Sequence, residues 1–258
     1  MFFDTHMHLS PDADCAGFFA QAREQGVSSF LLAGTSLQNA EFVCSLAAAE
    51  EGVYAAVGLH PHEAQQFEAS HLEQYAAFLQ RPKVLAVGEA GLDYHYNHSA
   101  PDAQRLAFSA FVQLAQDKQK ALVVHCREAF DDCYAIVKEQ WRPGLRFVLH
   151  SFTGTVPEAE KWLELDAYIS FNGMLTFKKA DNIRQALQAV PLEKLLLETD
   201  SPYLAPVPYR GKSNCSAYLP KIAEKMAELK GLPLSEIARI TNENARRLFG
   251  IDCDSVSN

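Results

Sequence analysis

The sequence predicts an α/β fold, a (β/α)8 TIM barrel with an extra C-terminal helix. Three observations carry this. Eight apolar, β-branched-rich runs alternate with amphipathic stretches. Most of the runs lack polar alternation, as parallel strands buried on both faces do. The runs end repeatedly on a histidine or an acidic residue, which is how a barrel builds a metal-dependent site at one mouth. A doubly wound sheet, the main competitor, gathers its site at one switch point instead of recruiting most of its strands. The 258 residues are read as a single domain, 1–258.

In chain order the expected strands are Phe2–His6, Ser29–Ala33, Val53–Leu59, Val84–Gly88, Leu122–His125, Phe147–His150, Tyr168–Phe171 and Leu195–Glu198. The helical patterns between them are Ala16–Gln25, Gln38–Glu50, Ser70–Leu79, Gln104–Gln116, Ala129–Lys138, Pro157–Leu165 and Ala180–Ala189. Gly26, Gly52 and Pro82 punctuate several ends. Two further helices, about Ala217–Lys230 and Leu234–Phe249, follow the last strand, and Ile237, Ile240 and Leu248 give the second part of an apolar face. The Pro-, Gly- and Ser-rich stretch Pro202–Ser216 reads as an active-site loop.

Composition narrows the class. The chain is 48% hydrophobic and 21% charged, ordinary for a protein that buries a core. No apolar run approaches the ~20 residues of a membrane span, and the first residues lack the pattern of a signal peptide. A cytoplasmic protein without membrane contact is expected. Cys15, Cys44, Cys126, Cys133, Cys215 and Cys253 form no CxxC pair and read as reduced thiols. A net charge of −9 argues against a basic groove tracking nucleic acid by charge alone. It leaves room for a phosphate-containing substrate, because bound metals change the local field.

The chemistry-bearing residues sit at strand ends. His6 and His8 form an H-x-H pair, and residues two apart in a strand point to the same side, so two imidazoles converge while Met7 turns away. Glu89 offers a carboxylate whose two oxygens can bridge two cations, and Gly88 and Gly91 flank it. His125 and His150 close successive apolar triplets. Asp200 lies nearer the mouth than Glu198 and takes the metal and proton-transfer role, with Glu198 behind it. Four imidazoles favour zinc, manganese, cobalt or nickel over magnesium. His60, Arg127, Arg210 and Lys212 are the expected substrate contacts, and Tyr94, Tyr96 and Tyr203 are candidates for stacking on bases. Gly211-Lys212-Ser213 mimics the end of a P-loop, but Pro206 stands where that motif needs glycine.

Taken together, Thr-His6-Met-His8, Val-Gly-Leu-His60-Pro-His62, Gly-Glu89-Ala-Gly-Leu-Asp93-Tyr, His125-Cys-Arg127, His150-Ser-Phe-Thr-Gly154 and Leu-Leu-Glu198-Thr-Asp200-Ser-Pro-Tyr-Leu resemble the TatD family of metal-dependent deoxyribonucleases, within the amidohydrolase superfamily. The resemblance runs from Phe3 to Asn242-Glu-Asn244-Ala-Arg-Arg-Leu-Phe249. It implies that His6, His8 and Asp200 hold one divalent ion, His125 and His150 a second, and Glu89 both. The ions are expected to be zinc, manganese or magnesium. Ser213, Cys215 and Ser216 depart from the family's loop pattern, as do Ala90 and Asn172 elsewhere; none of these is an expected ligand.

The implied activity is hydrolysis of DNA, single-stranded or presented as ends, with no protein partner inferred. A pair of divalent ions activates a water for in-line attack on phosphorus, and Asp200 takes its proton. Counted against Glu89, Asp200 and a hydroxide, two such ions leave the centre net positive, so an acidic chain can attract a phosphate. The alternative keeps the dinuclear site and changes the bond, to an amide, an ester or a small phosphoester. The fold alone does not separate the two.

Overall fold

A computed structural model describes residues 1–251. Strands β1 (Phe2–Met7), β2 (Val27–Ala33), β3 (Val53–Val57), β4 (Val84–Asp93), β5 (Ala121–Arg127), β6 (Phe147–Leu149), β7 (Tyr168–Phe171) and β8 (Leu195–Leu197) form one sheet in sequential order. Every neighbouring pair from β1 to β8 is parallel. Closure comes from the chain just past β8. The Asp200 amide donates to the His6 carbonyl (2.9 Å), the His8 amide to the Ser201 carbonyl (2.8 Å), and Met7 bridges Ser201. The expected barrel is the observed architecture.

Helices α1 (Cys15–Glu24), α2 (Leu37–Ala49), α3 (His71–Phe78), α4 (Pro101–Asp117), α5 (Phe130–Gln140), α6 (Val156–Glu164) and α7 (Asp181–Ala189) link the strands, and α8 (Leu219–Lys230) and α9 (Leu234–Phe249) follow β8. Local chemistry sets their ends. Asp14 caps α1 through the Gly17 amide, and Ser36 caps α2 through the Asn39 amide. Thr155 and Glu158 form a capping box on α6. Gly231 and Gly250 close α8 and α9 in the left-handed conformation.

Two apolar layers result. The larger lies between strands and helices and holds Met7, Phe19, Phe111 and Trp162. The smaller fills the barrel itself, with Phe3, Leu31, Val123, Val148, Tyr168 and Leu196, and α9 adds Ala245, Leu248 and Phe249 to it. The extra helix therefore plugs the end of the barrel opposite the strand C-termini. No helix among the described residues is long and apolar enough to cross a membrane. The described cysteines Cys15, Cys44, Cys126, Cys133 and Cys215 are free thiols, and Cys253 lies outside the described residues.

Three strand expectations need correction. β3 stops at Val57, so His60 sits in the turn opening the 3-10 segment Pro61–Gln66. β4 does not stop at Gly88 but continues to Asp93 through a register shift, three residues from Val87 to Ala90 facing two from Leu122 to Val124. That bulge re-aims Glu89. β8 ends at Leu197, so Glu198 and Asp200 do not share a regular strand, and Asp200 has φ of 55°.

Candidate metal centre

β1 carries a bulge like that of β4, three residues from Asp4 to Met7 facing two of β2 from Phe30 to Leu32. The two bulges bring His6, His8 and Glu89 together at the mouth. His8 Nδ1 lies 3.1 Å from the Ala33 carbonyl, which can only accept, so Nδ1 carries the proton and Nε2 keeps its lone pair. Nε2 of His6 is 3.1 Å from Nε2 of His8. Ligands on one tetrahedral ion at bond lengths of ~2.0–2.1 Å stand only slightly farther apart. Burial, with His6 beside it, lowers the His8 pKa to about 4, so the ring is neutral near pH 7. The Asp200 Oδ1 is 3.7 Å from His8 Nε2 and completes a cluster of three donors.

Glu89 is 2% exposed, and its oxygens face different partners. Oε2 is 3.3 Å from His6 Nε2 and 3.6 Å from His8 Nε2. Oε1 is 2.6 Å from His125 Nδ1 and 2.7 Å from His150 Nε2. Burial alone would raise the Glu89 pKa, but His150, His60 and His6 outweigh it and hold the group ionised. His6 and His150 stack at 3.9 Å between centroids, so the two histidine pairs brace each other. His125 Nδ1 and His150 Nε2 are 3.1 Å apart, repeating the spacing of the first pair.

Behind these donors stands an outer shell. The His125 Nε2 is 3.1 Å from Asp93 Oδ2 and donates to it, which leaves Nδ1 free to bind. Asp93 also accepts from His62 Nε2 and from the amides of His95 and Tyr96. Burial works against its ionisation, yet the bonds from His125 and the Tyr96 amide keep it far below the usual carboxylate range. Glu198 accepts from the Ser151 amide (2.6 Å) and faces His150 Nδ1 at 3.5 Å. Although burial lowers the His150 pKa, Glu89 and Glu198 on either side raise it strongly, the field that a cation on Nε2 would equally satisfy. Asp4 accepts from the amide and hydroxyl of Thr199 and from Ser216 Oγ, tying the loop to β1 just before Asp200.

The donor chemistry fits metal ions. Two pairs of imidazole nitrogens converge on opposite oxygens of one buried carboxylate. Burial pushes Asp200 up to about 7, a shift that a nearby cation opposes. His60 differs. Its Nδ1 accepts from the His62 amide at 3.1 Å, so the neutral ring carries its proton on Nε2, 3.5 Å from Glu89 Oε1. Burial lowers its pKa to about 3 and keeps it neutral. It is a donor facing the centre.

The pocket above these residues has a volume of about 1180 Å³ and is walled by His8, His60, Asp93, Arg127, Asp200 and Tyr203 among others. Tyr96 joins this wall; Arg210 and Lys212 do not. Arg210 lies over the Phe177 ring at 3.8 Å and donates to the Ala205 carbonyl. Tyr94 is likewise taken up elsewhere, donating to Asp132 at 2.6 Å. Sequence reasoning assigned no role to Asp93, His62 or Asp4. Glu89, Gly91 and Asp93 alternate along one strand only because β4 runs on past Gly88, where the sequence suggests an end.

A family model described as TatD related DNase matches residues 3–250. The uncharacterized metal-dependent hydrolase YabD of Bacillus subtilis is 35% identical over 255 residues, covering 98% of this chain and 100% of that protein. The 3'-5' ssDNA/RNA exonuclease TatD of Klebsiella pneumoniae is 35% identical over 242 residues, covering 92% of each. Among solved structures, the TatD homologue YJJV of Escherichia coli superposes with a TM-score of 0.92 at 29% identity, covering 97% of this chain and 98% of that one. The phosphotriesterase homology protein of Escherichia coli shares the fold, with a TM-score of 0.72 at 14% identity over 96% of this chain and 98% of that one. The chain belongs to the TatD-related DNase family and is a metal-dependent hydrolase.

Proposed function

We propose that this chain hydrolyses phosphodiester bonds of DNA, presented single-stranded or as ends, at a centre of two divalent ions. One observation carries the reading: the two oxygens of Glu89 face two separate histidine pairs. His6, His8 and Asp200 would hold one ion and His125 and His150 the other, with the Glu89 carboxylate lying between the two histidine pairs. Zinc and manganese suit the imidazoles, and magnesium suits the carboxylates. Bound there, the ions supply Lewis acidity and an activated water. Asp200 accepts the proton of the attacking water and delivers it to the leaving oxygen. His60, with its proton on Nε2, donates to a non-bridging phosphoryl oxygen. Asp93 holds His125 in the tautomer that this requires, and the Glu198 carboxylate faces His150 Nδ1 at 3.5 Å. The exonuclease name of the Klebsiella relative supports a nucleic-acid substrate.

The test is cleavage of end-labelled single-stranded DNA by metal-loaded protein. Cleavage should vanish on chelation and in Glu89→Gln, and fall by about 10²–10⁴-fold in Asp200→Asn. Hydrolysis of esters or amides alone, with DNA left intact, would sink this reading.

A further inference from the structure

The pocket wall is poor in positive charge. Among the described residues lining it, Arg127 is the one lysine or arginine, against the carboxylates Glu63, Glu89, Asp93 and Asp200. Two divalent ions offset those four carboxylates and leave Arg127 as the surplus cation. The other basic candidates of the sequence are elsewhere, Arg210 being pinned on Phe177. A protein that tracks a long strand neutralises many phosphates with lysine and arginine. This wall, in a chain of net charge −9, has no such track.

What it has is a compact grip. Arg127 follows His125 by two residues on β5, so its Cα stands about 6.6 Å along the strand from that of His125, and the two side chains share a side. That is about one phosphate step of an extended nucleic-acid backbone. The Arg127 guanidinium lies 4.6 Å from the centroid of the Tyr96 ring, which orients it. Tyr203 is 63% exposed and lines the pocket, so it presents a ring on which a base can stack, while the Tyr96 ring already packs against Arg127 and His98. A volume of about 1180 Å³ is just above the range of small-molecule pockets, room for a short piece of strand and not for a long tract.

We propose that the chain reads only the scissile phosphate, one neighbouring phosphate at Arg127 and the bases next to them, and therefore handles short single-stranded oligonucleotides as well as long ones. This rests on the phosphodiesterase reading above and adds its substrate class. The affinity then comes from the ions, one arginine and stacking, and extra length contributes nothing.

The experiment measures binding of phosphorothioate dinucleotide, tetranucleotide and dodecanucleotide single strands to metal-loaded protein by calorimetry, over a range of salt, alongside cleavage of the normal strands. The expected Kd of tetranucleotide and dodecanucleotide agree within about threefold, with a slope of log K against log salt no steeper than about −1.5, as for two neutralised phosphates. Arg127→Met should weaken both by about tenfold, and Arg210→Ala by less than about twofold. A dodecanucleotide bound more than tenfold tighter than the tetranucleotide, with a slope near about −4, overturns the proposal while leaving the nuclease reading standing. Binding and cleavage of no strand at any length overturns both.

Discussion

Asp93 shows what single residues contribute here. Its carboxylate takes hydrogen bonds from two histidines and two amides, and the one from His125 Nε2 fixes which nitrogen of that ring faces Glu89. Asp93→Asn keeps the shape but removes the charge that favours this tautomer. It should weaken metal binding by about 10–100-fold, read by competition with a chromogenic chelator, while the fold measured by circular dichroism is unchanged. The donors themselves were legible in the sequence, because His6, His8, Glu89, His125, His150 and Asp200 end apolar runs. Their partners were not. Asp93 lies beyond Gly91, where propensity suggests a turn, and the Asp4–Ser216 bond joins residues at opposite ends of the chain. Arg210 is the reverse case, since its cation is legible but its stacking on Phe177 is a matter of tertiary packing.

At the scale of elements, bulges matter more than strands. Counting apolar runs locates all eight strands of the barrel. It does not reveal that β1 and β4 each insert a residue, because a bulge is a relation between two strands and leaves no local pattern. Gly91 lies just past the β4 bulge, paired with His125 of β5. It has φ of 157°, and a Cβ there would run into the carbonyl oxygen of His125 on β5. Gly91→Ala must therefore push the two strands apart. It should cost about 1–3 kcal/mol in urea unfolding and loosen the ion bound at His125 more than the one at His8. Unchanged stability in this variant would show that β4 and β5 can separate freely. Their exchange of registered pairs from Ala86 through Arg127 argues against that.

Across the whole molecule, barrel closure and the candidate metal centre share the same bonds. Closure between β1 and the segment after β8 is the same set of bonds that sets His6, His8 and Asp200 side by side. The buried carboxylate and its surrounding imidazoles sit at one end of the barrel, while α9 seals the other with Leu248 and Phe249. Ion binding should therefore be coupled to folding. At an ion concentration about 100 times Kd, the native state gains about 2.7 kcal/mol. For a chain of this size, stripping the ions should lower Tm by about 5–10 °C, and adding them back should restore it. The same treatment should move the Tm of Glu89→Gln by less than it moves that of the unaltered protein.

Elemental analysis settles whether Glu89 joins two ions. The protein is loaded with zinc or manganese, freed of excess by dialysis and measured beside Glu89→Gln prepared identically. The geometry calls for two ions per chain in the unaltered protein and one or none in the variant. A single ion per chain, or an equal content in both proteins, would contradict the dinuclear centre.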